Sequence, residues 1–313
     1  MEIFYIIVAF VFGLVVGSFL NVCIYRLPRG KCKACGHVVT TDKPIDTCPK
    51  CNSKDGFSRL SIIRPGSHCP HCKTPIHWSD NIPLVSYLVL GAKCRNCKAP
   101  ISFRYPLVEF LTGILFAGAY YTAFSGVGSR TMQTVNFVIM LYLVASLIII
   151  TFIDFDFRII PDEITISGIL LAILISTLFP SIQKAVLFVS LPRPFNGLVG
   201  SLAGIIAGGG VVYLVGVLGK LVFRKEAMGF GDVKLMAFLG GFLGWDVVLY
   251  IFFLGCFFGS IAGIISWAIT KDRYIPFGPY LALGALVMLF FQTEIVTFTM
   301  HTYPGFIRNL LMP

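Results

Sequence analysis

From Ile3 to Tyr25 the chain carries no Asp, Glu, Lys or Arg, and six more runs repeat the pattern: Phe110–Ser129, Thr131–Ile153, Ile164–Gln183, Pro194–Gly219, Val247–Thr270 and Tyr274–Thr293. Each has about the 20 residues that an α-helix needs to cross a bilayer. In hydrocarbon a lone segment satisfies its backbone by closing hydrogen bonds within itself, so such runs must be helices. A soluble domain averages about 25% charged residues; this chain has 13%, with 56% hydrophobic. The fold class expected is therefore all-α and polytopic in a membrane. An eighth run, Leu235–Trp245, is too short alone, covering little more than half the core at ~1.5 Å per residue. It reaches a useful length by extending back through Lys234 and Asp232 into a water-filled or protein-lined cleft. About eight transmembrane helices are expected, with a small domain between the first and second.

Lys and Arg set the orientation. The segment Arg26–Arg104 holds fourteen of the 25 and four acids. With eight spans, the loops on its side also hold Arg158, Lys220, Arg224, Lys225, Lys234, Lys271 and Arg273, leaving Arg130, Lys184, Arg193 and Arg308 opposite. That bias puts the 26–104 segment in the cytoplasm and both termini outside. The net charge of +10 is mostly this topology signal, and nucleic acid is not an expected partner. The first run lacks a basic n-region and is longer than a signal-peptide core, so it reads as an uncleaved anchor. The domains expected are a first transmembrane helix at 1–25, a Cys-rich cytoplasmic domain at 26–104 and a transmembrane domain at 105–313.

Eight of the ten cysteines form four C-x-x-C pairs: Cys32/Cys35, Cys48/Cys51, Cys69/Cys72 and Cys94/Cys97. Each pair puts two thiolates on one tight turn at zinc-binding separation, and disulfides are disfavoured on the reducing side of a membrane. Pairing by sequence neighbours makes one site from Cys32, Cys35, Cys48 and Cys51 and another from Cys69, Cys72, Cys94 and Cys97; interleaved pairing is the alternative. Four thiolates close a coordination shell, so one or two structural zinc ions are expected, with a redox role for C-x-x-C as the lesser reading. His68, His71 and His77 are spare ligands at most, and Cys23 and Cys256 are ordinary apolar side chains.

Acidic groups near membrane depth are costly and point to function. Asp154 closes the third run, in Ile153-Asp154-Phe155-Asp156-Phe157-Arg158, and Asp232 opens the sixth, in Met228-Gly229-Phe230-Gly231-Asp232-Val233-Lys234. Asp162, after Pro161, reads as a cap or first-turn residue, Asp156 as a solvated loop residue and Glu109 as a helix-start acid. Asp154 and Asp232 could themselves be caps. Gly229 and Gly231 argue for more at Asp232, since they allow close backbone approach or positive φ beside the acid. Lys234 reads as a lipid-headgroup contact, with tuning of the acid pair's pKa as the alternative. Ser18, Asn21 and Arg26 add unusual polarity to the first run. The chain has no G-x-S-x-G, no H-E-x-x-H and no phosphate loop. Two carboxylates sharing a proton are the hydrolytic machinery it can staff.

These residues fall into a pattern. Gly17-Ser18-Phe19-Leu20-Asn21 with Arg26-Leu27-Pro28, Cys69-Pro70-His71-Cys72 with Trp78-Ser79-Asp80-Asn81, Gly91-Ala92-Lys93-Cys94, Tyr105-Pro106-Leu107-Val108-Glu109, Ile153-Asp154, Ile160-Pro161-Asp162 and Gly229-Phe230-Gly231-Asp232 occur in this order over nearly the whole chain. In them the sequence resembles the bacterial type IV prepilin peptidases, membrane aspartyl proteases of the G-x-G-D type. The resemblance implies catalytic acids Asp154 and Asp232, with Asp156 as the alternative first acid. It implies cleavage of the basic leader of prepilin and pseudopilin proteins between Gly and Phe at the cytoplasmic membrane boundary of type IV pilus and type II secretion systems. It also implies S-adenosylmethionine-dependent N-methylation of the new terminus, with the loop around Cys69–Glu109 helping to build that site. The residues that bind S-adenosylmethionine stay unassigned. Localisation is expected in the bacterial inner membrane, with prepilins and membrane lipid as partners. Gly30 to Ile63, with its own four cysteines, looks like an insertion relative to the usual single set. Two other function classes fit the residues alone: a zinc-knuckle scaffold binding a partner or nucleic acid through its basic loop, and a transporter with an Asp-lined proton path.

Overall fold

The computed structural model describes residues 2–40, 47–54, 56–126, 128–182, 192–224, 228–270 and 275–302. Of the cations used for orientation, Lys184, Lys225, Lys271, Arg273 and Arg308 lie outside these residues, as does Tyr274. The chain forms two compact units, 1–161 and 162–313, so the division falls inside the 105–313 segment.

The first unit contains helices α1 (Glu2–Arg26), α3 (Arg104–Ser125) and α4 (Arg130–Phe157), with a loop module between α1 and α3. The second contains α5 (Asp162–Leu178), α6 (Arg193–Phe223), α7 (Phe230–Leu243), α8 (Trp245–Thr270) and α9 (Gly278–Thr297). All eight apolar runs are thus helical. Among the described residues six helices are long and apolar enough to cross a membrane: Glu2–Arg26, Arg104–Ser125, Arg130–Phe157, Pro194–Val222, Trp245–Ile269 and Gly278–Met300. The other two, α5 with 17 residues and α7 with 14, fall short in length. As expected for the sixth run, α7 reaches back through Lys234 and Asp232. Its Leu235, Met236, Phe238 and Leu239 are fully buried, so the part of the helix from Leu235 to Phe242, apolar all round, is wrapped by protein. In contrast α1 exposes Ile3, Ile7, Val11 and Val15, the side chains a lipid-facing helix presents.

Close helix contact replaces the hydrophobic effect as the cohesive force in lipid, and glycine seams supply it. On α1, Gly13 and Gly17 lie one turn apart against α3: a methyl on Gly13 would come 2.8 Å from Gly113 Cα, and one on Gly17 would come 2.7 Å from Glu109 Cα. In the second unit, a methyl on Gly204 of α6 would come 2.0 Å from the Gly240 carbonyl oxygen of α7.

The loop module holds a small antiparallel sheet, β1 (Arg29–Cys32), β2 (Val38–Thr40) and β3 (Phe57–Arg59), in the order β2-β1-β3. Arg29 pairs with Thr40 across one edge of β1, and Gly30 with Arg59 across the other. A five-residue helix, α2 (Val85–Val89), follows. Among the described residues of 27–103 the buried apolar side chains are Pro28, Cys32, Val39, Cys48 and Cys69. Three of these five are candidate metal ligands, so the module has almost no hydrophobic core. It depends on cross-links and on one buried cation: Arg26, the last residue of α1, donates to the carbonyls of Ser61 (2.8 Å), Ile62 (3.2 Å) and Pro65 (2.6 Å). Hydrogen bonds to charged groups contribute about 1.5–3 kcal/mol each. Arg26→Met is therefore expected to free this loop while leaving α1 intact. Hydrogen exchange should rise across Phe57–Pro65 and not along α1.

Candidate active site and cysteine clusters

Each C-x-x-C pair builds the same turn. The residue after the second cysteine has positive φ: Gly36 (72°), Asn52 (55°), Lys73 (59°) and Lys98 (58°). Its N–H donates to the carbonyl of the first cysteine at 2.9, 2.8, 3.0 and 3.1 Å. The N–H of each first cysteine reaches forward to His37, Ser53, Thr74 or Ala99. The N–H groups of Lys50 and Cys51 are directed at the Cys48 sulfur. The hydroxyl and backbone N–H of Thr74 pull the Cys72 thiol down to about 5, and the N–H groups of Cys97 and Asn96 lower Cys94. Cys48 is lowered as well, while Cys51 and Cys97 shift upward; the lowered members are favoured as thiolates, the form that binds metal.

The pairs assemble as sequence neighbours: Cys32, Cys35, Cys48 and Cys51 in one cluster, Cys69, Cys72, Cys94 and Cys97 in the other, with the sulfurs of each within 4.8 Å of one another. The interleaved arrangement is not adopted. Cys32–Cys51, Cys35–Cys48 and Cys69–Cys97 are separated by 3.8, 3.6 and 3.8 Å. Four thiolates around one zinc at ~2.3 Å stand about 3.8 Å apart, so both clusters fit that ion. The expected spare ligands His68 and His77 are engaged elsewhere. His68 contacts the Gly66 carbonyl and His77 caps the turn Trp78–Asn81, while His71 is exposed. Around the second cluster, Arg95 donates two bonds to Asp80 (2.7 and 2.6 Å), and Asn96 donates to Thr74 (2.9 Å). The Arg95 guanidinium holds the Asp80 carboxyl below the usual range. Its contribution is thus present above that range and is lost as acid protonates the group.

The acids separate by partner. Asp154 is buried in the last turn of α4, where its carbonyl accepts from Arg158 N–H, the left-handed residue that ends the helix. Asp232 is buried in the first turn of α7 and accepts from Gly229 N–H at 3.3 Å. Gly229 is extended, with φ −75°, so positive φ is not what its lack of a side chain provides. Asp156 is exposed, as expected, but lies inside α4 rather than in a loop and pairs with Arg104 of α3, which also donates to the Phe152 carbonyl at 2.8 Å. Asp162 lies in the first turn of α5, as its sequence context suggests. Lys234, read as a headgroup contact, has a protein partner: its ammonium bonds both Asp162 oxygens, at 2.7 and 2.9 Å. Glu109 is buried inside α3 and accepts from Leu84 N–H (2.9 Å) and from Ser18. Asn21 donates to the Tyr105 carbonyl. The partners of Arg104, Lys234 and Arg26 carry no local spacing signal, which is why the sequence alone leaves them unmatched.

Residues 11–123 match the bacterial peptidase A24 N-terminal domain, and residues 141–264 match the type IV leader peptidase family. A prepilin leader peptidase/N-methyltransferase of Aeromonas hydrophila is 33% identical over 299 residues, covering 93% of this chain and 92% of its own. Proteins of the same description from Neisseria gonorrhoeae (34% over 283 residues, 90% and 88% covered) and Stutzerimonas stutzeri (34% over 297 residues, 93% and 92%) agree. The chain belongs to the type IV leader peptidase family. It is thus an enzyme, a peptidase with several membrane helices. No solved structure matches it. In this leader peptidase the matched segments contain both cysteine clusters and both buried aspartates.

Proposed function

We propose that this chain is an aspartic leader peptidase and N-methyltransferase of the bacterial cytoplasmic membrane, with Asp154 and Asp232 as its catalytic acids. The observation that carries the proposal is burial. In a chain of this family, those two carboxylates lie 5% and 8% exposed, in a helix-end turn and a helix-start turn. The third buried acid among the described residues, Glu109, is committed to a loop. Asp156 is committed to Arg104, which favours Asp154 as the first acid. In acid-pair hydrolysis, the ionised carboxylate takes a proton from water and the water oxygen attacks the peptide carbonyl. The neutral carboxyl polarises that carbonyl, and the amine leaves with a proton. The substrates are prepilin-like proteins, whose basic leader stays in the cytoplasm with the Cys-rich module while the bond between Gly and Phe is cut at the membrane boundary. The relatives' names extend this to methylation: the new terminal amine attacks the methyl of S-adenosylmethionine, its sulfonium leaves as a thioether, and the amine loses a proton.

Each cysteine cluster holds one zinc ion, which supplies cross-linking rather than an open coordination site. Metal analysis of the purified chain is expected to give one ion per cluster. Cys94→Ser should lose one ion and release the loop held by Cys69, Cys72, Cys94 and Cys97, because folding and metal binding are a single event in such modules. Metal content unchanged by Cys94→Ser would remove the cluster from the scheme.

The test of the enzyme is intact-mass spectrometry of a prepilin-like substrate incubated in detergent with S-adenosylmethionine and either wild type or Asp232→Asn. The expected result is loss of the leader plus one methylene, with wild type alone. No mass change across several unrelated prepilins would overturn the proposal and return weight to a scaffold role for the basic module.

A further inference from the structure

The stretch Asn81–Ala92 carries no charged residue, although it lies in a segment holding fourteen Lys and Arg. Apolar runs of about this length, too short to span, are either buried core or interfacial segments. Burial is ruled out here: α2 leaves Val85, Leu88 and Val89 53%, 78% and 75% exposed. The Ser86 hydroxyl is turned inward onto the Ile82 carbonyl at 2.6 Å, so it adds no polarity to that face.

The depth of this face is fixed by a second observation. Leu84 has φ 60° and ψ −47°, and Val85 N–H closes onto the Pro83 carbonyl at 2.6 Å. This is the strained form of the γ-turn, rare for a branched side chain, and such backbone persists where the surroundings hold it. The holding group is Glu109, which accepts the Leu84 N–H at 2.9 Å. Glu109 lies five residues into α3, about 8 Å along its axis, and α3 at 22 residues is about as long as the hydrocarbon core is thick. A loop tied to that point is held about 8 Å inside that end of the helix, the depth to which interfacial segments insert. Phe110 and Ile114 of α3, on either side of the next turn from Glu109, are likewise exposed, and Lys93 and Arg95 follow the apolar stretch in sequence.

We propose that Ile82–Val89 is an interfacial membrane anchor. It inserts Val85, Leu88 and Val89 among the lipid acyl chains and thereby seats the Cys69–Cys97 module on the bilayer surface. Short amphipathic helices bind membranes by this apolar burial, and flanking cations add attraction to anionic headgroups.

The test uses the full chain in phosphatidylcholine/phosphatidylglycerol vesicles. The three tryptophans, Trp78, Trp245 and Trp267, are replaced by Phe, and a reporter is introduced as Leu88→Trp. The expected result is blue-shifted emission, lost when the acyl chains are brominated near the headgroups and insensitive to aqueous iodide. Emission quenched by iodide would put α2 in water and overturn the anchor. Emission reached by neither quencher would also overturn it, in favour of a face covered by protein, whether substrate helix or second copy. Val89→Trp gives the same reading if Leu88→Trp fails to accumulate. No arm depends on peptidase activity, so the result stands apart from the assignment of the catalytic acids.

Discussion

Gly204→Ala is expected to prevent accumulation of folded protein, although it adds one methyl group to a helix. The new carbon would lie 2.0 Å from the Gly240 oxygen and 2.7 Å from the Gly240 carbonyl carbon. Both are backbone, so no rotamer change relieves the contact. The helices must move apart, and α7 has no slack, because Gly240 would meet the Gly204 carbonyl oxygen at the same 2.0 Å. The neighbouring turn is equally tight: a methyl on Gly208 would lie 2.3 Å from the Met236 oxygen. Overpacking in well-packed cores costs about 1–3 kcal/mol, and a backbone-on-backbone clash belongs at or above the top of that range. The control is Gly210→Ala on the same helix, where nothing lies within 4 Å. There alanine should be neutral or stabilising by up to about 1 kcal/mol, through helix propensity. Yield and thermal midpoint in detergent separate the two variants. Equal midpoints would mean that α6 and α7 do not pack through this seam.

What the sequence revealed, and what it hid, follows from the range of each interaction. Charge at membrane depth is penalised residue by residue, so the apolar runs mark the helices directly. The Cys32–Cys51 and Cys69–Cys97 clusters are similarly legible, because two ligands of each pair lie on one turn. The capping of α7 is local as well: Asp232 and Gly229 are three residues apart. The ion pairs are not local. Lys234 meets Asp162 across 72 residues, and Arg104 meets Asp156 across 52, so a headgroup role for Lys234 and a solvated Asp156 were the natural expectations. The spacing Gly204-x-x-x-Gly208 is visible in the sequence, yet it does not say which helix fills the seam. The shortness of α7 becomes intelligible once the burial of Leu235 to Phe242 is seen: a helix enclosed by protein need not match the bilayer.

Asp154→Asn is expected to abolish leader cleavage, and Asp156→Asn to leave it nearly intact. General acid–base groups contribute about 10²–10⁴-fold, and members of a pair that act as a unit are lost together. Asp154→Asn and Asp232→Asn should therefore each reduce cleavage at least about 100-fold. Asparagine keeps the shape of the side chain and one acceptor oxygen. At position 232 that oxygen can still take the Gly229 N–H, so a lost cap would not explain lost activity, and an unchanged thermal midpoint would make the point directly. Asp156 poses the contrasting case. Its pair with Arg104 has side chains 37% and 29% exposed, a setting in which ion pairs contribute about 1 kcal/mol or less. Arg104 also retains the Phe152 carbonyl. Initial rates on one prepilin substrate at matched protein concentration decide the matter. If Asp156→Asn is the inactive variant and Asp154→Asn cleaves, the first catalytic acid moves two residues along α4, and the Arg104 pair becomes part of the active site.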